Sequence, residues 1–182
     1  MRTLNTLSNY SSHFELGNQT WIAGRLVTWV ATYIQGGVDG ITQKINQLPD
    51  NIGQLTELQG LWIEKHDLTE LPESFTLLEN LSYLSIASNY LTSLPAEFGN
   101  LLNLWILHLG YNKLVTLPES IGSLENIEYL WLFNNQFTSL PETICNLTLD
   151  WNGTDYSAYN YPYFACGSNF LCESNLIPDC VE

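Results

Sequence analysis

The hydrophobic positions of this 182-residue chain repeat at a constant interval of 23 residues. Each repeat begins with a Leu-Pro dipeptide, continues with two mostly polar residues and an Ile or Phe, and then places leucines at every second or third position. Five of these dipeptides share one phase and begin at Leu48, Leu71, Leu94, Leu117 and Leu140. Such regular recurrence predicts a stack of similar coils, because a single coil of this size cannot bury its own apolar face.

Each repeat also contains a short stretch in which apolar residues alternate with other residues, and this pattern predicts a β-strand. In one repeat the apolar positions are Leu81, Leu84 and Ile86, and their counterparts in the next are Leu104, Leu107 and Leu109. Strands that recur at the same phase predict a parallel sheet whose inward leucines stack from coil to coil. At about 1.5–3 kcal/mol for each buried aliphatic side chain, this core dominates the predicted stability.

One polar position recurs inside the apolar frame. Asn89, Asn112 and Asn135 share one phase, and His66 takes the corresponding place in an earlier repeat. A buried polar side chain where a strand ends predicts hydrogen bonds to backbone groups, since unpaired buried groups are costly. We therefore expect a ladder of buried asparagines that is weaker at its His66 end.

The segment after each Leu-Pro dipeptide is predicted to form a short helical turn. Proline is favoured at the start of a helix, and acidic side chains interact favourably with the N-terminal end of the helix dipole. Four repeats carry an acidic residue in this region, at Asp50, Glu73, Glu119 and Glu142. We interpret these acids as helix-start residues and not as an acidic binding stripe.

Between about residues 38 and 177, the units resemble leucine-rich repeats of the 23-residue subclass, with a cysteine-containing C-terminal cap. The resemblance implies an α/β fold, a right-handed curved solenoid with a parallel β-sheet on its concave face and short helical turns on its convex side. We divide the chain into residues 1–47 (tail, N-terminal cap and partial first coil), 48–147 (repeats) and 148–182 (C-terminal cap). In the partial first coil, Ile45 has the phase of Leu68.

An N-terminal cap is expected because the first coil of an array otherwise exposes its apolar edge. Apolar residues between Trp21 and Ile34, including Leu26 and Trp29, fall at helical spacing, and two glycines follow at positions 36 and 37. This pattern predicts a capping helix over residues 20–35. A strand is the alternative, because several of these residues are β-branched.

The last repeat departs from the pattern after Leu147. Leu149 and Trp151 are predicted to supply its strand, yet the expected asparagine arrives only at Asn169. The intervening residues 152–168 are rich in Tyr, Asn, Ser and Gly, which predicts an inserted loop. This composition is typical of binding loops. The alternative is a loop that only shields the last coil.

The cysteines lie together near the C-terminus, at Cys145, Cys166, Cys172 and Cys180. Their even number predicts local disulfides, with three pairings open, and their spacing is too wide for a zinc knuckle. Clustered cysteines favour an extracellular, cell-surface or virion location. Residues 1–16 lack the pattern of a secretory signal, which leaves a cytoplasmic location open.

On the predicted sheet, residues between the buried leucines point to the concave face, where neighbouring coils are about 4.8 Å apart. Aromatic side chains at the same phase can therefore touch. The predicted binding surface combines such residues with the tyrosines of the inserted loop: Tyr83, His108, Tyr111, Tyr129, Trp131, Phe133, Tyr156, Tyr159, Tyr161 and Tyr163. Exposed aromatic rings fit a protein contact or a sugar ring. Burial of the rings beneath the loop is the alternative.

Neither a catalytic site nor a cofactor site is predicted. Ser85 has the phase of His108, but no acidic residue of that phase can orient the histidine as a catalytic triad requires. No phosphate-binding or metalloprotease motif occurs, and the turn at residues 150–155 lacks the spacing of a calcium-binding loop. We expect a protein without enzymatic activity, cofactor or resident metal.

Composition removes further classes of function. The chain has 5 Lys and Arg against 19 Asp and Glu, a formal net charge of −14, so it offers no basic patch for nucleic acid or an anionic membrane surface. Its apolar runs are too short for membrane insertion. We predict a non-enzymatic recognition module that binds a protein partner through its concave aromatic face and C-terminal loop. The alternative is a structural or decoration component of a larger extracellular assembly or virion lattice, and a weaker alternative is a glycan-binding surface protein.

Overall fold

The computed structural model describes residues 17–33, 43–154, 161–171 and 178–181. Seven strands of these residues form one sheet in chain order: β1 (Asn18–Ile22), β2 (Arg25–Val30), β3 (Gly60–Trp62), β4 (Tyr83–Ser85), β5 (Ile106–His108), β6 (Tyr129–Trp131) and β7 (Phe164–Ala165). β1 and β2 are antiparallel, and every later pair is parallel. The predicted solenoid with a parallel sheet is confirmed.

The core follows the repeat. Leu61, Leu84, Leu107 and Leu130 are paired in register from β3 to β6, and all four are fully buried. Because the strands pair at one register, each leucine packs on its equivalent in the next coil. A single apolar column therefore runs along the axis of the solenoid.

Within the described ranges, five short 3₁₀ helices form the side of the coils opposite the sheet. They span Ile52–Gln54, Glu73–Leu77, Phe98–Asn100, Glu119–Ser123 and Glu142–Asn146. Three of them have a proline at the N-cap and a glutamate in the first turn, as predicted. Successive turns approach so closely that a Cβ atom at Gly99 would lie 1.9 Å from the Ser120 carbonyl oxygen.

The asparagine ladder is confirmed, and each rung joins adjacent coils. Asn112 Oδ1 accepts from the Leu91 amide of the preceding coil at 3.0 Å. Its Nδ2 donates to the carbonyl oxygens of Ile86 and Leu109, both at 3.0 Å. Asn89 and Asn135 make equivalent bonds. The ladder thereby satisfies backbone groups that no strand partner reaches.

His66 takes the place of asparagine at the N-terminal end of the ladder. The Ile45 amide donates to its Nδ1 at 3.1 Å, and its Nε2 is hydrogen-bonded to the Ala31 carbonyl oxygen. These partners require the neutral ring with its proton on Nε2. Burial holds the pKa of His66 below its ordinary value, although the bond to Ala31 and the charge of Asp67 oppose that effect.

The capping helix predicted over residues 20–35 is wrong for the described part of that range, which forms the β1–β2 hairpin. The hairpin turns at Ala23 and Gly24, whose φ angles of 49° and 78° are typical of a two-residue hairpin loop. A bulge shifts the register at Val27, so that Leu26 and Trp29 are both buried although they are three residues apart. The bulge gives a strand the spacing of a helix, and this explains the wrong prediction.

The strand predicted at Leu149 and Trp151 is also wrong. β7 pairs with β6 instead, Leu149 is buried in the core, and the Trp151 ring packs edge-on against Phe164 at 4.9 Å. The match at Asn169 is confirmed. Its Oδ1 accepts from the backbone N–H of Asn135, and its Nδ2 donates to the Leu132 carbonyl oxygen. The inserted residues thus lie before the strand, and the ladder continues after them.

A disulfide joins Cys145 to Cys180, with 5.6 Å between the Cα atoms. It connects the last 3₁₀ helix to the C-terminus across 35 residues of sequence. A link of this length stabilises a fold by about 3–4 kcal/mol in the chain-entropy model. Cys166 is half-buried against the core, and Cys172 lies outside the described residues.

We expect Asn112→Ala to lower the free energy of unfolding by about 1–3 kcal/mol, because it leaves the Leu91 amide without its acceptor. It also removes one of the two side-chain donors from each of the Ile86 and Leu109 carbonyl oxygens. Urea denaturation measures this loss. Glu125→Ala, at an exposed position, is the control and should change stability by less than about 0.5 kcal/mol. Equal stability of the two variants would contradict the role of the ladder.

We expect His66 to make the fold sensitive to acid. Its pKa is lowered in the folded state, so the unfolded chain takes up a proton first as the pH falls below about 6.5. The contribution of the neutral ring is complete above that pH and is lost as the pH falls through the folded pKa. His66→Asn should therefore flatten the pH dependence of the unfolding free energy between about pH 7.5 and 5. An unchanged slope in urea titrations would contradict this assignment.

Candidate functional site

The parallel register aligns the outward residues of β3 to β6 into rows on the concave face. One row contains Gly60, Tyr83, Ile106 and Tyr129, and the next contains Trp62, Ser85, His108 and Trp131. These are the neighbours that the repeat phase predicts. Since the core is filled by the opposite face of each strand, side chains in these rows are available for contacts outside the core.

Most of the predicted aromatic residues lie together at the C-terminal end of this face. The His108 ring lies 5.1 Å from Trp131 and 5.4 Å from Phe133, and the Tyr111 ring lies 5.3 Å from Phe133. Tyr129 meets Trp131 edge-on at 5.8 Å. We call these five residues the aromatic cluster. Tyr111 is half exposed, and the other four are partly buried.

Residues 161–163, which we call the strap, lie over the aromatic cluster. The Trp131 indole Nε1 donates to the Pro162 carbonyl oxygen at 2.7 Å. The Tyr163 ring lies 5.0 Å from Tyr129, and the Tyr161 ring lies 5.8 Å from Trp131. The strap therefore shields part of the cluster and adds the half-exposed Tyr161 to the same surface.

The strap pairs in the antiparallel sense with residues 153–154. Thr154 forms an antiparallel bridge with Pro162, and the Tyr163 amide donates to the Gly153 carbonyl oxygen at 3.1 Å. Residues 155–160, which include the predicted Tyr156 and Tyr159, lie outside the described residues.

A second aromatic feature lies near the N-terminal end of the face. The ring of Trp62 stacks on Tyr83 with 4.2 Å between centroids and 25° between planes. Gly60 allows this arrangement, because a Cβ atom there would lie 2.6 Å from the Trp62 ring. The repeat phase places Trp62 in the row of Ser85, His108 and Trp131, but the predicted binding surface does not include it. Gly60 in the adjacent row is the feature of the sequence that could have indicated a Trp62 ring lying on the concave face.

Trp105 was also omitted, because it lies just before β5 and outside the alternating positions. Its ring is 43% exposed and meets Tyr129 edge-on at 5.7 Å. It extends the aromatic surface to the rim of the concave face.

A polar chain crosses the middle of the face. Ser85 Oγ donates to the Glu64 carboxylate and lies 3.3 Å from His108 Nδ1. Because the serine proton is used by Glu64, His108 must donate from Nδ1, which leaves Nε2 as an acceptor. That atom is buried without a hydrogen-bond partner among the described residues. Burial lowers the pKa of His108, opposed by the Glu64 charge.

These three polar side chains are not arranged in the order of a hydrolytic triad. In a triad the histidine lies between the acid and the nucleophile. Here Ser85 lies between Glu64 and His108, and it is fully buried. Within the described residues, no group of three His, Cys, Asp or Glu side chains is placed to hold a metal ion.

A family model described as leucine rich repeat matches residues 79–137. Residues 79–137 therefore contain leucine-rich repeats. A search of curated proteins found no significant sequence match. None of the helices in the described residues has the length and hydrophobicity that crossing a bilayer requires.

Several solved leucine-rich repeat structures are similar. A protein of Leptospira interrogans has 40% sequence identity and a TM-score of 0.57, with 58% of this chain and 27% of that chain covered. The ectodomain of the Arabidopsis thaliana receptor kinase SOBIR1 has 23% identity, a TM-score of 0.60 and coverages of 84% and 76%. The plant peptide hormone receptor RGFR1, in complex with RGF2, has 26% identity, a TM-score of 0.56 and coverages of 70% and 20%.

We expect Trp131→Phe to loosen the strap while it preserves the aromatic cluster, because phenylalanine keeps a ring but cannot donate to the Pro162 carbonyl oxygen. The loss should be about 1 kcal/mol and should appear as faster hydrogen exchange at the Tyr163 amide. Trp105→Phe, at the rim, is the matched control. Unchanged exchange in Trp131→Phe would show that this bond does not hold the strap.

Proposed function

We propose that the chain is a non-enzymatic recognition module that binds a protein or peptide partner on its concave face. The observation that carries this proposal is the aromatic surface formed by the cluster, the strap and the Trp62–Tyr83 pair on one rigid sheet. Large partly exposed rings on a preformed scaffold are typical of interaction surfaces, because they provide contact area at small entropic cost.

The separation of this surface from the core supports the proposal. The leucine column and the asparagine ladder account for the packing and hydrogen bonding of the coils. Rings such as Trp105 and Tyr111, at 43% and 52% exposure, contribute little to that packing. Contiguous exposed apolar groups usually mark a contact surface.

The comparisons support the general class. One of the similar structures is a peptide hormone receptor in complex with its ligand, although this chain spans only 20% of that receptor chain. The order of Glu64, Ser85 and His108 supports a role other than catalysis. The disulfide between Cys145 and Cys180 is compatible with an extracellular location.

Selection of peptides from an unbiased displayed library, followed by calorimetry, tests the proposal. We expect the double variant Trp105→Ala with Tyr111→Asn to weaken binding of selected peptides at least tenfold, which is about 1.4 kcal/mol. Asparagine is chosen at position 111 because Tyr111 has a φ of 58°, which asparagine tolerates.

The matched control is Leu77→Ala with Leu102→Ala, which removes side chains that are 55% and 53% exposed and lie outside the strands. It should leave affinity within about twofold. Failure to select any peptide, or selected peptides whose affinity changes neither in the Trp105 and Tyr111 double variant nor in Trp62→Ala, would contradict the proposal. Binding on a glycan array that requires Trp62 would instead support glycan recognition, which the stacked Trp62–Tyr83 pair favours as the second candidate.

A further inference from the structure

The strap shows what kind of segment the concave face accepts. Tyr161, Pro162 and Tyr163 cross the aromatic cluster, with an indole N–H donating to the proline carbonyl oxygen and a ring on either side of the proline. This combination resembles the recognition of polyproline segments, in which aromatic grooves hold the chain and a donor contacts a free carbonyl group. The face therefore already binds one aromatic and proline-containing segment, from its own chain.

The surface beside the strap offers the same components. We call Trp62, Glu64, Tyr83 and Ile106 the open half, because the described part of the strap contacts the neighbouring cluster instead. The Trp62–Tyr83 stack provides a flat aromatic surface. Tyr83, Ile106 and Tyr129 lie in one row, so the open half continues directly into the aromatic cluster.

A hydrogen-bond donor is also present in the open half. Burial, the largest effect, raises the pKa of Tyr83, and a hydrogen bond from Trp62 opposes it. The hydroxyl is therefore protonated at neutral pH and can donate to a main-chain carbonyl oxygen. The Tyr83 hydroxyl is thus a donor on a ring of the stack, as the Trp131 indole N–H is a donor on a ring of the cluster.

The charge of the open half selects among such segments. Glu64 is the one charged side chain in the three described rows of outward residues, at positions 60 to 129, 62 to 131 and 64 to 133, and the exposed Lys65 next to it has the phase of Tyr111 at the end of the face. Ser85 donates to one oxygen of the Glu64 carboxylate. The chain as a whole has a formal charge of −14. A basic side chain complements this surface and an acidic one is repelled.

We infer that the open half binds an extended, proline-containing peptide that carries a lysine or arginine next to the proline. This inference rests on the proposed function and specifies the partner of the same face. The proline packs on the Trp62–Tyr83 stack, the Tyr83 hydroxyl donates to a peptide carbonyl oxygen, and the basic side chain contacts Glu64.

Calorimetry with a polyproline peptide of about ten residues and one central arginine tests this inference. Two matched peptides replace the arginine by glutamate or the prolines by alanine. We expect binding of the arginine peptide, at least tenfold weaker binding of both matched peptides, and a decrease in affinity with added salt. Equal binding of the three peptides, or of none, would overturn the inference.

Three variants locate the contact. Trp62→Ala should weaken binding of the arginine peptide at least tenfold. Tyr83→Phe, which removes only the hydroxyl, should weaken it about fivefold. Glu64→Gln preserves the bond from Ser85 and should abolish the preference for arginine over glutamate. Thermal melting verifies that each variant is folded, and unchanged binding in folded Glu64→Gln and Tyr83→Phe would overturn the inference.

The library selection separates this inference from the proposed function. Selected peptides that lack proline and basic residues, and that depend on Trp105 and Tyr111 but not on Trp62 or Glu64, would overturn the inference and support the proposed function. Failure of the library to yield any ligand would contradict the proposed function itself.

Discussion

Backbone amides that follow the strands obtain their hydrogen-bond acceptors from asparagines of the next coil, and these bonds link each coil to its neighbour. Asn112 accepts from an amide of the preceding coil while it donates to carbonyl groups of that coil and its own. A coil without a neighbour would leave these groups unpaired and its leucines exposed. Stability therefore belongs to the stack, and the interval of 23 residues keeps successive rungs aligned.

This alignment also creates the candidate site. Since β3 to β6 pair without a shift, outward residues of equal phase become neighbours across coils. Trp62 can stack on Tyr83, and His108 can approach both Ser85 and Trp131, although all are far apart in sequence. The packing of the core does not restrict which residue types occupy these outward positions, because the core uses the opposite face of each strand.

Different elements cover the apolar edge of the terminal coil at the two ends of the array. At the N-terminus a hairpin adds two strands and buries Trp29 against the first coil, with His66 as the last rung of the ladder. At the C-terminus β7 and Asn169 add a further coil, and the Cys145–Cys180 disulfide fastens it. The insertion before β7 is accommodated because β6 fixes the register of the strand, whatever the length of the connection.

The amino-acid pattern was sufficient to predict the repeat, the parallel sheet, the asparagine ladder and the phase of the concave residues, because these follow from local periodicity and recur in each coil. It did not determine the N-terminal hairpin, since the bulge at Val27 gives Leu26 and Trp29 a helical spacing. Three further features are visible only in the folded chain: β7 lies at Phe164, Trp131 donates to Pro162, and the Glu64 carboxylate accepts from Ser85. Each of these depends on where a non-repeating segment or a long side chain finds its partner, and a periodic pattern carries no information about that.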